Sequence, residues 1–364
     1  MAVDLGRYLD RLEAIVDPER AEANARLQEA AWGYRAIERT PVIVNYRDKV
    51  SKERKGQPDW PSFPYSEVFA SPEKMLLDEL EDVYVGALVG DDKVYTIRAN
   101  LGVGVLPSLF GCDVKLEAGN DLPWVEPIAD TEELRRVIAK GVPALDQGLL
   151  GRSVEYEHYF REALSPYPRL GRAVHIAQTD LQGPMNVTAE IMGTGIYTTI
   201  YDEPGLVHDL LDLVTETYIA ATKAQKQVLG EELDRAYHWH LRVLGGIRIS
   251  EDFALSMSPH HYNEFAAPYN ARCYAAFGGG YLLYADEGMP VLDEILDTPG
   301  ITGIFRWTEK ATDFDRLWPL ARARHICVVW NGPLPADWRQ RARSGLIVER
   351  VVADAAGATA ALVG

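Results

Sequence analysis

Eight short apolar runs recur along the chain, each closing on polar residues and most followed by a helical segment. They fall at 40–46, 94–100, 173–179, 244–249, 281–284, 300–305, 325–330 and 346–351. Alternating strands and helices joined by right-handed crossovers leave two architectures, a doubly wound sheet or a closed barrel. Eight such runs select the barrel. The expected fold class is α/β, a (βα)8 TIM barrel with an N-terminal helical extension. Two runs are the clearest. One leads into Asp180-Leu181-Gln182-Gly183-Pro184, the other into Ser250-Glu251-Asp252 and then Ser258-Pro259. Both deliver polar groups where a strand ends and a helix begins, which is where barrels of this kind carry their chemistry.

Before the first run, Leu5, Tyr8, Leu9, Leu12 and Ile15 fall at helical spacing, and Asp17-Pro18 breaks the pattern before a second helix expected over 18–37. Residues 1–39 thus read as a helical segment ahead of the barrel. With no internal repeat, low-complexity tract or linker, 1–364 reads as one domain. A stretch rich in Pro, Gly, Trp and Lys at 53–64 is expected to be a loop, either plain surface or a lid over the mouth.

Composition narrows the partners. The net charge of −17 argues against nucleic acid or an anionic membrane, because phosphate binding needs clustered Lys and Arg. No apolar run approaches a membrane span, and the charged, helix-like first twenty residues do not resemble a signal peptide. Three distant cysteines, Cys112, Cys273 and Cys327, with no C-x-x-C pair, fit a reducing, cytoplasmic setting.

The residues at the strand ends are the candidate site. They are Asn45, Tyr46 and Arg47; Arg98 and Asn100; Asp180 and Gln182; Glu251 and Asp252; Tyr284, Asp286 and Glu287; Arg306 and Trp307; Asn331; Glu349 and Arg350. Arginine forks suit carboxylate or phosphate groups. Carboxylates can do acid–base work once their pKa values are pushed apart. Asp180 and Asp252 are therefore the candidate catalytic groups. Tyr46, Arg47, Arg98, Asn100, Gln182, Glu251, Tyr284, Arg306, Trp307 and Asn331 are the candidate substrate-binding set. No metal site is expected, Asp286 and Glu287 being the only candidates for a hard divalent ion. His238-Trp239-His240 has the spacing of a same-face pair on a strand, but it precedes the expected strand and reads better as connection.

The order of motifs resembles the uroporphyrinogen decarboxylase superfamily, which includes methylcobamide-dependent methyltransferases. The resemblance is best from 173 to 288. It rests on D-L-Q-G-P at 180–184, D-E-P-G-L-V at 202–207, I-S-E-D at 249–252, S-P-H-H-Y at 258–262, Pro268-Tyr269 and F-G-G-G at 277–280, followed by Trp330-Asn331-Gly332. It implies a barrel with the substrate in its mouth. Two departures stand out. The N-terminal Arg-rich signature of the decarboxylases is missing, and the first strand leads instead into Asn45-Tyr46-Arg47-Asp48-Lys49. The His-x-Cys zinc pair of the thiol-methylating relatives is replaced by Tyr284-Ala285-Asp286, which cannot reproduce a soft ligand set.

The main functional expectation is a decarboxylase-like lyase without cofactor, acting on a carboxylated or tetrapyrrole-like small molecule. Arginines would hold its carboxylates, and Asp180 or Asp252 would supply the proton or stabilise positive charge. Two alternatives stand beside it. One is a corrinoid (cobalamin)-dependent methyltransferase or demethylase, with a free corrinoid or a corrinoid carrier protein as partner. The other is a non-catalytic binding protein on the same scaffold. A homodimer is among the expectations.

Overall fold

The computed structural model describes residues 4–46, 59–116, 122–285, 290–307, 313–353 and 355–363. Eight parallel strands form the barrel: β1 (Val42–Tyr46), β2 (Tyr95–Arg98), β3 (Val174–Ala177), β4 (Ile247–Ser250), β5 (Gly280–Tyr284), β6 (Ile301–Arg306), β7 (Cys327–Trp330) and β8 (Leu346–Val352). All eight expected runs are strands, with ends moved by a few residues. β4 through β8 pair in sequence, and β8 pairs back onto β1 with Val42 opposite Val348, which joins the last strand to the first. β2 pairs with β3.

Two seams, β1/β2 and β3/β4, carry no strand ladder among the described residues. A buried backbone N–H or C=O still needs a partner, and side chains and loop backbone supply it. At the first seam Val42 N donates to Asp92 Oδ2 at 2.8 Å and Val44 N to Asp91 Oδ2 at 2.7 Å. Lys93 Nζ donates to the Val44 carbonyl at 3.0 Å. At the second seam Gly183 N donates to the Ser250 carbonyl at 2.9 Å, and the Tyr218 hydroxyl to that of Arg248 at 2.7 Å.

The two N-terminal helices are α1 (Leu5–Ile15) and α2 (Pro18–Trp32), each capped by an aspartate that accepts a first-turn N–H, Asp4 and Asp17. α2 ends five residues before the expected boundary. Its last residue, Trp32, covers the N-terminal end of the barrel. The indole packs edge-on against Tyr281 at 5.5 Å, and its Nε1 donates to Thr302 Oγ1 at 3.2 Å. A Cβ at Gly303 would strike this indole, so the glycine makes room for it.

A feature absent from the expected element list fills the interior. Residues expected to be connection form an antiparallel hairpin, Arg235–His238 with Leu241–Leu244. Ala236, Leu241 and Val243 of the hairpin join one buried cluster with Trp32, Ile43, Tyr281, Leu283, Phe305, Cys327, Val329 and Ile347. These strand residues alternate with Val42, Val44, Leu282, Ile304, Val328, Leu346 and Val348, which pack outward in the larger cluster with the helices. The two-residue period of a strand separates the two cores.

Gln28 of α2 ties these parts together. It is fully buried. Its Nε2 donates to the Asp92 carbonyl at 2.7 Å and the His240 carbonyl at 3.1 Å, and its Oε1 accepts from Arg242 N at 2.8 Å. Gln28→Leu removes a partner from the Asp92 carbonyl, from Arg242 N and from the His240 carbonyl, the last of which keeps Val94 N. At about 1–3 kcal/mol for each unsatisfied group, partly relieved by water, it should cost roughly 2–4 kcal/mol. Chemical denaturation checks this; a loss under about 1 kcal/mol would show that Gln28 does not tie helix, seam and hairpin together.

Candidate functional site

Strand parity decides which side chains reach the mouth. On the inner parity, past the apolar layer, stand Asn45, Arg98, Arg248, Trp307, Asn331 and Glu349. Asp180 joins them from the loop after β3.

Two clusters form. In the first, Glu349 takes the Nδ2 groups of Asn45 and of Asn331, the latter at 3.2 Å. In the second, Asp180 is held by Arg248 through Oδ1 and by Arg98 through Oδ2, the latter at 3.4 Å. Gln182 adds its Nε2 at 2.7 Å and its backbone N–H at 3.2 Å. Gln182 carries φ of +58°, a left-handed backbone uncommon outside glycine. The local bonds to Asp180 hold it there. Asn186 continues the network, donating to Gln182 Oε1 at 3.1 Å and accepting the backbone N–H groups of Asp252 and Phe253.

The charge state of Asp180 follows from opposing effects. Burial favours the neutral acid, but Arg248, Arg98 and the Gln182 N–H outweigh it and hold the carboxyl below its ordinary value. Asp180 is therefore an anion at neutral pH. Arg248, 5% exposed, is its tight partner. Arg98 is the looser one. Its two side-chain bonds, to Asp180 and to Asn100 Oδ1, are 3.4 and 3.3 Å, long for charge-assisted contacts.

Trp239, at the tip of the hairpin, forms the floor. Its ring lies 5.2 Å from the Arg98 guanidinium, 5.6 Å from that of Arg248 and 5.3 Å from the Trp307 ring. Neither Arg248 nor Trp239 is in the expected site. Arg248 had a signal: a charge between two isoleucines on an inner-facing strand position. Trp239 had none, because only the tertiary fold carries the hairpin inside.

Several expected members lie elsewhere. Tyr284 packs outward with Leu282 in the helix-facing core. Arg306, outward like Ile304, pairs with Asp313 and lies 5.9 Å from the Trp330 ring. Glu251 is fully buried beneath the 180–184 loop and accepts from Met185 N at 3.3 Å. A Cβ at Gly183 would collide with its carboxylate, which explains the glycine. These three follow from taking both faces of each strand end, whereas parity admits one. Asp252 is exposed at the rim, and its Oδ1 accepts from Ala285 N at 2.9 Å, linking the ends of β4 and β5. Asn100 is half-buried beside Arg98, and Arg350 donates to the Gly332 carbonyl at 3.2 Å. Arg47, Asp286, Glu287 and the Tyr46 side chain lie outside the described residues.

His238 and His240 do not share a strand face: His238 ends one arm of the hairpin and His240 is in its turn. Burial and nearby cations, Arg248 foremost, keep His238 neutral. Among the described residues no group of three or more His, Cys, Asp or Glu is placed to hold a metal ion. A cavity of about 630 Å³ opens at the other end of the barrel, against Arg161, His175, Tyr237 and Arg242. Its charges are largely engaged, Arg235 with Glu232 in the lining and Arg242 and Glu231 with Glu29 and Lys226 behind it, so the mouth remains the better site.

No protein-family model matches the chain, and none of the curated proteins matches it in sequence. Among solved structures it is similar to a methyltransferase from Methanosarcina mazei, with a TM-score of 0.66 and 17% identity over 93% of this chain and 96% of that one. At that identity the likeness establishes the shared (βα)8 fold. No helix among the described residues is long and apolar enough to cross a membrane.

Burial pushes the Glu251 carboxyl up to about 8. The folded state therefore holds a proton that the unfolded chain releases near pH 4.5, and this contribution to stability falls as pH rises from there to about 8. Glu251→Gln should flatten that part of the stability profile and gain on the wild type towards pH 8. Urea titrations across the range test this; parallel profiles would rule it out.

Proposed function

We propose that this chain catalyses methyl transfer on a small molecule held in the barrel mouth, with a corrinoid as methyl carrier. The observation that carries the reading is the charge state at the mouth. Decarboxylation needs an acid to deliver a proton to carbon or a free carboxylate to stabilise positive charge; of the two groups expected there, Asp180 and Asp252, Asp180 is held as an anion whose charge two guanidiniums already engage. Methyl transfer needs no such acid. When a methyl group leaves oxygen, nitrogen or sulfur it leaves an electron pair behind, and a fixed cation beside that atom stabilises it. Arg98 is such a cation, with donors not saturated by Asp180. The similarity to a methyltransferase supports the same choice.

The residues present suit a corrinoid. The carboxamides of Asn100 and Asn331 at the mouth would take the amide-bearing edge of the macrocycle, which leaves the tryptophan planes below to the second substrate. His238 and His240 are buried below the mouth, so the residues that would hold the group are the amides at its edge. When bound, a corrinoid supplies a cobalt centre that accepts or releases a methyl group. The chain's own part is to bind the second substrate, exclude water from it and set the charge around it. A corrinoid carrier protein would approach from the rim where Asp252 is exposed.

The test uses hydroxocobalamin reduced with titanium(III) citrate and methoxylated, methylamine and methylthioether donors, followed by visible spectroscopy. Methylation of the corrinoid by one donor class is expected. No spectral change with any donor, nor with methylcobalamin and thiol or phenol acceptors, would sink the reading, and carbon dioxide release from a carboxylated substrate would restore the lyase. Within an active system Arg98→Gln should lower kcat about 10²-fold, the loss typical of one preorganised donor, with an unchanged circular dichroism spectrum. An effect below threefold would remove Arg98 from the mechanism.

A further inference from the structure

We infer that Trp239 is a specificity-determining residue: with Trp307 it forms a platform for a planar aromatic ring, and Arg98 takes an anionic oxygen carried by that ring. The inference rests on the proposed function in taking the barrel mouth as the substrate site.

The backbone at the tip is the first indication. Trp239 and His240 are the two central residues of the hairpin turn, with φ of +47° and +65°. A turn with both central residues left-handed is made most cheaply by Asn-Gly. Here it holds a tryptophan and a histidine, each under steric penalty, and strain of this kind persists where surrounding structure over-determines it. The surroundings do so. His240 N donates to Thr96 Oγ1 at 2.9 Å, and the His240 carbonyl accepts from Val94 N and Gln28 Nε2, both at 3.1 Å. The turn is anchored from below, and the indole is presented upward to the level where the strands end.

The environment of the indole gives the ligand class. Trp239 remains partly exposed, with Trp307 tilted 54° to it at 5.3 Å and Phe305 edge-on at 6.4 Å. The Arg98 and Arg248 guanidiniums lie over the Trp239 ring, 5.2 and 5.6 Å from its centroid, so the flat apolar area left to a ligand is the remainder of that indole together with Trp307, which an aromatic ring fills better than a saturated one. Beside them Arg98 has five N–H donors and only two long side-chain hydrogen bonds. Arg248 already engages the Asp180 charge, so that carboxylate does not oppose an incoming anion. A ring bearing an anionic oxygen uses both features together. A saturated anion would forgo the stacking, and a neutral aromatic would forgo the charge. The oxygen belongs to either a carboxylate or a phenolate.

Isothermal calorimetry separates these cases without turnover, using benzoate and 4-nitrophenolate in mildly alkaline buffer against cyclohexanecarboxylate and benzyl alcohol. At least one aryl anion should bind about tenfold or more tighter than both controls; which one binds identifies the oxygen. Trp239→Asn places a turn-favouring residue at the strained position, so the hairpin should still form. It should erase the preference, so that aryl and saturated anions bind alike. Trp239→Phe should keep the preference within about threefold, and Trp307→Leu should erase it from the other side. Equal binding of all four probes to the wild type, binding of none, or an unchanged preference in folded Trp239→Asn and Trp307→Leu would each overturn the inference. Aryl-anion binding without methyl transfer would remove only the proposed function. Methyl transfer without aryl preference would remove only this inference.

Discussion

The Asp180–Arg248 pair is the interaction on which the mouth depends. Arg248 is the second residue of β4 and points into a closed barrel, where an unpaired guanidinium would cost several kcal/mol. Asp180 follows β3, and no ladder joins β3 to β4 among the described residues. The ion pair therefore crosses that seam, beside the Gly183 N–H to Ser250 carbonyl bond, and helps hold the two strand ends in register. Such a pair adds little net stability, because desolvation consumes most of the attraction. Its effect is positional: with Asp180 engaged by Arg248, Arg98 is left facing the mouth with spare donors.

The hairpin follows from the same geometry. A ring with two unladdered seams has more interior to fill than eight strands supply. Ala236, Leu241 and Val243 enter from the N-terminal end and join the inward side chains of β1 and β5–β8. Trp32 of α2 covers the opening behind them. The N-terminal extension and the hairpin thus work as one plug, with Gln28 as the hydrogen-bonded link between them. The tip of that plug is also the floor of the mouth. The packing at one end of the barrel and the floor of the mouth at the other are set by one ten-residue hairpin.

The electrostatics divide the buried acids into two kinds. Asp180, met by two cations, is ionised. Glu251, met by amides and apolar side chains, keeps its proton to about pH 8. Both lie just past the end of an apolar strand and look alike in sequence. Their neighbours separate them: an inward position meets the arginines, an outward one meets the helix layer.

Much of the fold was legible in the sequence because strand and helix formation are local. Apolar runs of fixed length, helix caps such as Asp4 and Asp17, and the number eight together specified the barrel. Asp180, Arg98, Asn331 and Trp307 were also legible, as polar or aromatic groups just past apolar runs. What only the tertiary structure decided depends on which face a residue occupies and what arrives from elsewhere. Tyr284, Arg306 and Glu251 sit at strand ends like the others, but the two-residue period turned them to the helices. Trp239 lies in a segment whose local pattern reads as connection. It became the floor of the site because the unladdered ring had room for a hairpin, and sequence spacing carries no record of that space.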